Sequence, residues 1–361
     1  MSGRWTLPPF CDGEMAPDFR TVSRVNPNFH FSTVAGRYVL LAFMPGEAAK
    51  RAAALAAVAP LTPRFDGRHI LAFFVAREGD SGAVPPDQLP GQLWFFDPED
   101  TIARAFRLAP DEPEWLLFDP SLRLMGRAPI DQPANLFAQI ATLPPIDDYA
   151  GAPLTAPVLI VPRVFEPELC RRLIDIYEAR GGEPSGVMRD IGGRTVGVFD
   201  GMKKRRDVNL EADAELRAEI NALIEKTVTP MMRRTYQFEA TRIERYIVAC
   251  YDAQEGGYFH PHRDNESLGT AHRRFACSIN LNAEEHDGGD LRFPEFGART
   301  YRPPTGGAVV FACNLLHEAT PVTQGRRYAF LPFFYDEEGQ RTRERNLEFL
   351  GAQPAPAEAA R

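Results

Sequence analysis

Residues 258–265 read YFHPHRDN, and this stretch decides how the second half of the chain is interpreted. His260, His262 and Asp264 are spaced two apart, so a strand through them would point all three side chains to one face. Two histidines and a carboxylate on one face are ligand types that hold a divalent transition metal while leaving positions open. The stretch therefore predicts a metal site and raises the question of which of the three side chains belong to it.

A further ligand has to come from another part of the sheet, and His317 is the candidate. It lies in LLHEATPVTQGRRYAFLPFF (315–334), 53 residues after Asp264, and Arg327 follows ten residues later. A guanidinium group can form a bidentate pair with a small dicarboxylate. The histidine, the arginine and the strand after them form one coherent unit.

The elements around these residues indicate helices packed on a β-sandwich or jelly roll. Helices are predicted over 167–182 and from about Glu211 to Arg234, the first ended by glycines. From Ile243 onward, short apolar runs separated by glycine turns predict antiparallel strands.

Residues 157–340 resemble the prolyl 4-hydroxylase-like branch of the 2-oxoglutarate and iron(II)-dependent dioxygenases. The resemblance rests on an ordered set of short motifs: VACY (248–251), GYF (257–259), RFA (274–276), LN (281–282), GGDLRFP (288–294), GG (306–307) and the segment from His317 to Arg327. It implies a double-stranded β-helix, or jelly roll, with packed helices. It also implies Fe(II) held by His262, Asp264 and His317, with Arg327 and Tyr251 holding 2-oxoglutarate, and ascorbate as a reductant.

Within this resemblance, His262 and Asp264 match the family's metal pair, because one residue separates them. His260 is left as a substrate-side group or a packing residue. Asn280 lies where relatives place a side chain near the cosubstrate. His272 and His286 lie in polar stretches and are predicted to be solvated loop residues.

The resemblance implies hydroxylation of an unactivated C–H bond, with O2 consumed and succinate and CO2 released. Asp264 favours hydroxylation over halogenation, since halogenating relatives carry a small residue at that position. The substrate stays open between a prolyl or other residue of a protein and a free amino acid or small metabolite. The segment 185–209 is predicted to be a substrate loop, tied down by Arg206 and Asp207. The alternative is a catalytically lapsed scaffold that senses iron or 2-oxoglutarate.

The first half of the chain predicts an α/β domain with a partly parallel sheet. Apolar runs at 38–44, 69–76, 92–97 and 115–119 indicate buried strands, and 47–59 an alanine-rich helix. The stretches GEMAPDF (13–19), GRYVLLAF (36–43) and DPEDTIARAFRL (97–108) resemble a peroxiredoxin of the thioredoxin-like fold.

This peroxiredoxin-like half lacks the residues of peroxide reduction. The family pattern, counted from Pro45, places its threonine at Ala49 and its reactive cysteine at Ala52. Alanine has no sulfur, so the domain is predicted to be catalytically degenerate. Its remaining roles are to support folding, hold a partner or shape a homodimer. Cys11 is predicted to be a small apolar filler.

Proline-rich and alanine-rich stretches divide the chain. The predicted boundaries are a first domain over 1–148, a linker over 149–157, a dioxygenase domain over 158–340 and a C-terminal tail over 341–361.

Composition narrows the setting further. The net charge of −8 argues against nucleic acid or anionic membrane as a partner. The run Lys203–Arg206 is interpreted as a solvated edge or a contact for an acidic partner. Five scattered cysteines, no secretory layout and no apolar run long enough to cross a bilayer predict a cytoplasmic protein with reduced, buried thiols.

Overall fold

The computed structural model describes residues 10–24, 26, 29–77, 84–108 and 112–351. The protein is of the mixed α/β class and divides into two compact units, Met1–Thr155 with Pro294–Gly297, and Ala156–Phe293 with Ala298–Arg361. Residues 352–361 of the predicted C-terminal tail lie outside the described residues.

The first unit is built on a seven-stranded sheet with the order β2-β1-β5-β4-β3-β6-β7. Strands β3, β4 and β5 run parallel, and the hairpin of β6 and β7 adds antiparallel to β3. The predicted partly parallel sheet is therefore present; the thioredoxin-like assignment stays a prediction. The strands are β1 Arg20–Ser23, β2 Phe29–His30, β3 Tyr38–Phe43, β4 Ile70–Ala76, β5 Gln92–Phe96, β6 Glu114–Phe118 and β7 Leu124–Pro129.

The central strands of this sheet are long apolar runs because both of their faces are covered. Every residue of β3 and β4 is buried, as expected for parallel strands packed on both sides. Helices α1 Ala48–Val58, α2 Thr101–Ala105 and α3 Ala134–Ala141 belong to this unit.

Three positions bear on the prediction that the first unit lacks peroxidase chemistry. Ala49 and Ala52 are exposed on α1, so the helix presents only methyl groups there. Cys11 is exposed, against the prediction of a buried filler, and its thiol donates to Glu14 at 3.1 Å. This hydrogen bond, with slight desolvation and the negative charge of Glu14, raises the pKa of Cys11. A raised pKa disfavours the reactive thiolate.

The second unit carries two long helices, and each buries one stripe. Helix α4, Pro167–Arg180, ends before Gly181, which has a φ of 68°. Helix α5, Ala214–Tyr236, starts after Asp213, whose side chain accepts from the Leu216 amide and caps the helix. Its buried side chains recur every four residues, at Leu216, Ile220, Ile224, Val228 and Met232. No helix of the described residues is long and apolar enough to cross a membrane.

The strands of this unit pair antiparallel in two main sheets. One has five strands in the order β12-β16-β22-β19-β20; the other follows β14-β24-β17-β23-β15-β13-β9, with β18 added on β23 and β21 and β8 added beside β17. A separate hairpin joins β10 and β11. The strands are β8 Leu159–Val161, β9 Glu183–Pro184, β10 Val187–Ile191, β11 Arg194–Val198, β12 Lys203–Lys204, β13 Arg206–Asn209, β14 Arg242–Glu244, β15 Ile247–Asp252, β16 Tyr258–His262, β17 Phe275–Asn280, β18 His286–Gly288, β19 Leu291–Arg292, β20 Thr300–Tyr301, β21 Ala308–Ala312, β22 His317–Ala319, β23 Val322–Phe330 and β24 Phe333–Tyr335.

The predicted start of the tail at residue 341 falls inside a helix. Helix α6 runs over Glu337–Asn346 and is capped by Asp336, whose carboxylate accepts from the Gly339 amide at 2.8 Å. A polar, arginine-rich sequence hides this helix from a hydrophobic pattern, since among its described residues only Gly339 is buried.

Candidate functional site

Two neighbouring strands of the five-stranded sheet bring the three candidate ligands together. His262 at the end of β16 lies directly opposite His317 at the start of β22. Asp264 follows two residues after β16, and its backbone amide donates to the Cys313 carbonyl at 2.9 Å. The strand pairing therefore places side chains separated by 53 residues in sequence around one point.

A bulge in β16 answers which histidine belongs with Asp264. The register of β16 with β22 shifts between Phe259 and His262, so the simple alternation of a strand breaks there. Phe259 and His262 stack on each other with ring centroids 3.4 Å apart, whereas His260 is exposed and packs on Tyr258. The expectation that all three side chains share one face is wrong for His260.

The donor atoms converge as a metal site requires. The Nε2 atom of His262 lies 3.6 Å from one carboxylate oxygen of Asp264, and that of His317 lies 3.3 Å from the other. One ligand atom from each residue lies within 4.8 Å of the other two. This set of two imidazole nitrogens and one carboxylate fits iron(II).

Backbone carbonyls orient both rings. The Nδ1 atom of His262 lies 2.8 Å from the His260 carbonyl, and that of His317 lies 3.0 Å from the Leu315 carbonyl. A carbonyl only accepts, so each Nδ1 donates a proton, and in the neutral ring Nε2 keeps a lone pair for a metal. The residue two positions before each histidine thus sets its tautomer.

Burial and mutual electrostatics keep the site ready for a cation. Burial and the neighbouring His317 lower the pKa of His262 to about 4. Burial by itself would raise the pKa of Asp264, but the neighbouring His317 and His262 rings hold it well below its usual range. His262 is therefore neutral and Asp264 anionic at neutral pH, which are the forms that bind metals.

The opposite, larger sheet supplies the candidate anion-binding residues. Tyr251 on β15 lies directly opposite Arg327 on β23, and the Arg327 guanidinium lies 5.1 Å from the Tyr251 ring centroid. Arg327 is only 3% exposed and donates to the Ser278 hydroxyl at 2.9 Å. Asn280, predicted near the cosubstrate, instead donates to the Pro303 carbonyl at 2.7 Å. Ser278, two residues earlier on β17, is the polar side chain on this strand that contacts Arg327.

The basic run at 203–206 is a solvated edge only in part, because Lys204 is exposed whereas Arg205 is buried. Arg205 is 7% exposed and forms a two-pronged ion pair with Asp207, both N–O distances being 2.7 Å. The Asp207 pair forms with Arg205 and not with Arg206, whose guanidinium donates to the Gly182 carbonyl at 2.9 Å. The Lys203 ammonium lies 4.9 Å from the centre of the Phe259 ring. The sequence feature that could have indicated this ion pair is the acidic residue Asp207, two positions after Arg205.

Two histidines predicted to be solvated are buried. His272 is 2% exposed and shares the Glu244 carboxylate with Arg273. His286 is 5% exposed, and its Nδ1 lies 3.0 Å from the Gly288 carbonyl. Burial, with the charges of Arg327 and Arg302, lowers the pKa of His286 to about 4. Long-range strand pairing buries both, which a polar local sequence conceals.

These low pKa values predict acid sensitivity of the metal-free protein. Between about pH 6.5 and pH 4, His262 and His286 are protonated in the unfolded chain. In the folded protein both rings stay neutral over this range, because their pKa is about 4. Stability is therefore complete above about pH 6.5 and falls as the pH drops toward 4. We expect each histidine to lower the free energy of unfolding by about 2 kcal/mol between pH 7 and pH 5.

Urea unfolding of metal-free protein at the two pH values measures this loss. His286→Gln should reduce the difference by its own share. An identical pH dependence in His286→Gln and the unchanged protein would contradict the assignment.

Residues of the two sheets line one pocket of about 60 Å³ that is partly open to solvent. The metal-ligand candidates, Tyr251 and Arg327 line it together with aromatic and aliphatic side chains, including Phe259, Leu291, Phe311, Leu331 and Phe333. Two further lining residues, Arg205 and Arg245, were not predicted as site residues. No sequence pattern marks Arg245, which precedes an apolar strand like any surface residue.

Comparison with known proteins agrees with this geometry over part of the chain. Residues 246–335 match the model of the 2OG-Fe(II) oxygenase superfamily, and they include all five predicted site residues. A PKHD-type hydroxylase of Cupriavidus metallidurans is 28% identical over 167 residues, covering 42% of this chain and 71% of that protein.

Two other similarities extend further along the chain. A PKHD-type hydroxylase of Shewanella sp. (strain ANA-3) is 26% identical over 214 residues, which is 54% of this chain and 89% of the relative. Among solved structures, a prolyl hydroxylase in complex with a hypoxia inducible factor oxygen degradation domain peptide fragment, from Trichoplax adhaerens, aligns over 52% of this chain and 87% of its own. Its TM-score is 0.42 at 17% sequence identity.

Proposed function

We propose that this protein is an Fe(II)- and 2-oxoglutarate-dependent dioxygenase that hydroxylates an unactivated C–H bond of a protein residue or a small metabolite. The observation that carries the proposal is one cavity holding two kinds of binding group. His262, Asp264 and His317 converge on one side, and the buried Arg327 lies on the facing sheet. The match of residues 246–335 to the oxygenase model supports the same reading.

Each group has a defined part in this function. His262, Asp264 and His317 would hold the iron, and Arg327 would bind the far carboxylate of 2-oxoglutarate, beside Tyr251. When bound, the iron supplies the redox chemistry that couples decarboxylation of 2-oxoglutarate to succinate and CO2 with insertion of an oxygen atom from O2 into the C–H bond. Since Asp264 is retained, hydroxylation rather than halogenation is the expected outcome.

The cavity walls contribute by excluding water. Phe259 stacks on the His262 ring, and Phe311 packs on His317 with centroids 4.6 Å apart. These rings restrict the motion of the ligands and lower the local dielectric, which strengthens the pairing of Arg327 with a carboxylate.

The test is an anaerobic titration of the full-length protein with iron(II) and 2-oxoglutarate. We expect the weak visible charge-transfer band of the chelate to appear and to saturate at one equivalent of iron. Succinate release in air then screens acceptor substrates, with and without ascorbate. A protein that shows no band would be a lapsed scaffold, and the proposal would be wrong.

The first unit is proposed to serve as a peroxiredoxin-like accessory domain without peroxidase chemistry. This rests on the exposed alanines at positions 49 and 52 and on the raised pKa of Cys11.

A further inference from the structure

Three arginines line the cavity, and their charges are balanced differently. Arg205 is neutralised by the two-pronged ion pair with Asp207. Arg327 donates to the hydroxyl of Ser278. Arg245 donates through Nε and one terminal nitrogen to the Leu331 carbonyl, both at 3.2 Å. Among the described residues, the hydrogen-bond partners of Arg327 and Arg245 are thus neutral groups, although both guanidinium groups border the same cavity.

The surroundings of Arg245 are already committed to other partners. The centre of the Phe333 ring lies close to two guanidinium groups, 4.4 Å from that of Arg245 and 4.0 Å from that of Arg273. Glu244, the residue before Arg245, pairs with Arg273 and with His272. It therefore balances the charge of Arg273 and leaves Arg245 with an excess positive charge.

Electrostatics show the same imbalance. Burial and repulsion by Arg205 and Arg273 lower the pKa of Arg245 to about 10. The carboxylates of Asp207 and Asp264 oppose this effect. Asp207 is already paired with Arg205, and Asp264 lies beside His262 and His317 in the candidate metal site. Arg245 is still a cation at neutral pH, in an environment that favours the arrival of an anion.

The backbone of Arg245 has an unusual conformation. Its φ is 70°, in the left-handed region that long side chains rarely adopt. It lies between β14 and β15, and its guanidinium reaches a carbonyl 86 positions away in sequence. Such conformations persist where the surrounding structure enforces them and often accompany function.

If the proposed function is correct, 2-oxoglutarate supplies a carboxylate to Arg327, and Arg245 still lacks one. We infer that Arg245 binds a carboxylate group of the primary substrate, so that the substrate is an acid held beside the metal centre. Besides the hydrogen bonds to Leu331, the edge formed by the two terminal nitrogens of Arg245 matches a planar carboxylate through two parallel hydrogen bonds. The carboxylate belongs either to a free acid or to an acidic group of a peptide.

The experiment uses the full-length protein loaded anaerobically with iron(II) and 2-oxoglutarate. Sodium acetate is the carboxylate probe, sodium methylphosphonate the tetrahedral probe, and sodium chloride at equal ionic strength the control for screening. The readouts are the perturbation of the charge-transfer band and the shift of the melting temperature. The variants are Arg245→Gln, which removes the charge, Arg245→Lys, and Arg234→Gln at an exposed site on α5 as the matched control.

We expect acetate to perturb the band and raise the melting temperature beyond the effect of chloride. Arg245→Gln should weaken the acetate response at least about tenfold, since it removes a charge-assisted pair. Arg245→Lys should recover part of it, and Arg234→Gln should match the unchanged protein. The titration with 2-oxoglutarate should be the same in Arg245→Gln as in the unchanged protein.

The results that would contradict this inference differ from those that would contradict the proposed function. A missing band in the unchanged protein would overturn the proposed function. A normal band without an acetate response, or with an equal response in Arg245→Gln, would overturn the inference alone. Weakened 2-oxoglutarate binding in Arg245→Gln would assign the residue to the cosubstrate and also overturn it. A stronger response to methylphosphonate than to acetate would also overturn the inference, because it would indicate a site for a tetrahedral anion rather than a carboxylate.

Matched acids then distinguish the two sources of the carboxylate. Acetylated amino acids and their carboxamides represent free acids, and end-blocked peptides containing aspartate or asparagine represent acidic side chains. Succinate release with one acid series, absent with the matching amides and lost in Arg245→Gln, identifies the source.

Discussion

His262→Ala should abolish the charge-transfer band of the iron and 2-oxoglutarate complex and lower iron affinity by more than about 100-fold. The reason is that the substitution removes one of three protein ligands, whereas loss of a mere outer-shell partner costs roughly 10- to 100-fold. Anaerobic titration monitored by visible absorption measures both effects, and circular dichroism checks that the fold is retained.

The chain offers a matched control two residues away. His260→Ala changes an exposed ring but keeps the backbone carbonyl that accepts from His262. We expect its band and iron affinity to equal those of the unchanged protein. If His260→Ala lost the band while His262→Ala kept it, His260 rather than His262 would be the metal ligand, and the candidate metal set would be wrong.

Arg327→Gln should weaken 2-oxoglutarate binding by at least about 30-fold with little change in iron affinity. Truncating one partner of a buried charge pair costs about 2–5 kcal/mol, and the lower value corresponds to this factor. The physical basis is the burial of Arg327, which leaves it shielded from water and from salt. The readout is the 2-oxoglutarate concentration at half-maximal band intensity with iron held constant.

The neighbouring arginine is the control for this prediction. Arg326 is half exposed and forms ion pairs with Asp252 and Glu178 on the surface. Arg326→Gln should change 2-oxoglutarate affinity by less than about fivefold, because a surface pair contributes about 0–1 kcal/mol. Equal losses in both variants would point to a general electrostatic effect and against a specific carboxylate site at Arg327.

The main elements of the fold could be predicted because local sequence carries their physical cause. Continuous apolar runs produced β3 and β4 in the first unit, and a four-residue apolar spacing produced α5. Helix α6 was missed because it buries almost no apolar surface. The absence of a cysteine at Ala52 is likewise readable from sequence, since no fold can restore a missing sulfur atom.

The sequence by itself indicated the chemistry that we propose for the second unit. His262, Asp264, His317 and Arg327 are side chains of the required types at workable spacings, and the apolar runs around them predict the strands that hold them. Identity and spacing are local properties of the chain. Together with the resemblance to the dioxygenases, they were enough to name five candidate site residues, all of which line one pocket.

Only the tertiary structure decided which side chains face that cavity and which charges are balanced there. The bulge turns His260 outward, a shift that depends on pairing with β22, beyond the local sequence. Arg205 is buried because Asp207 neutralises it, and His286 is buried by its pairing with β23. Arg245 is held against a carbonyl 86 positions away. Burial and charge balance arise from contacts between distant segments, so no reading of a single stretch supplies them.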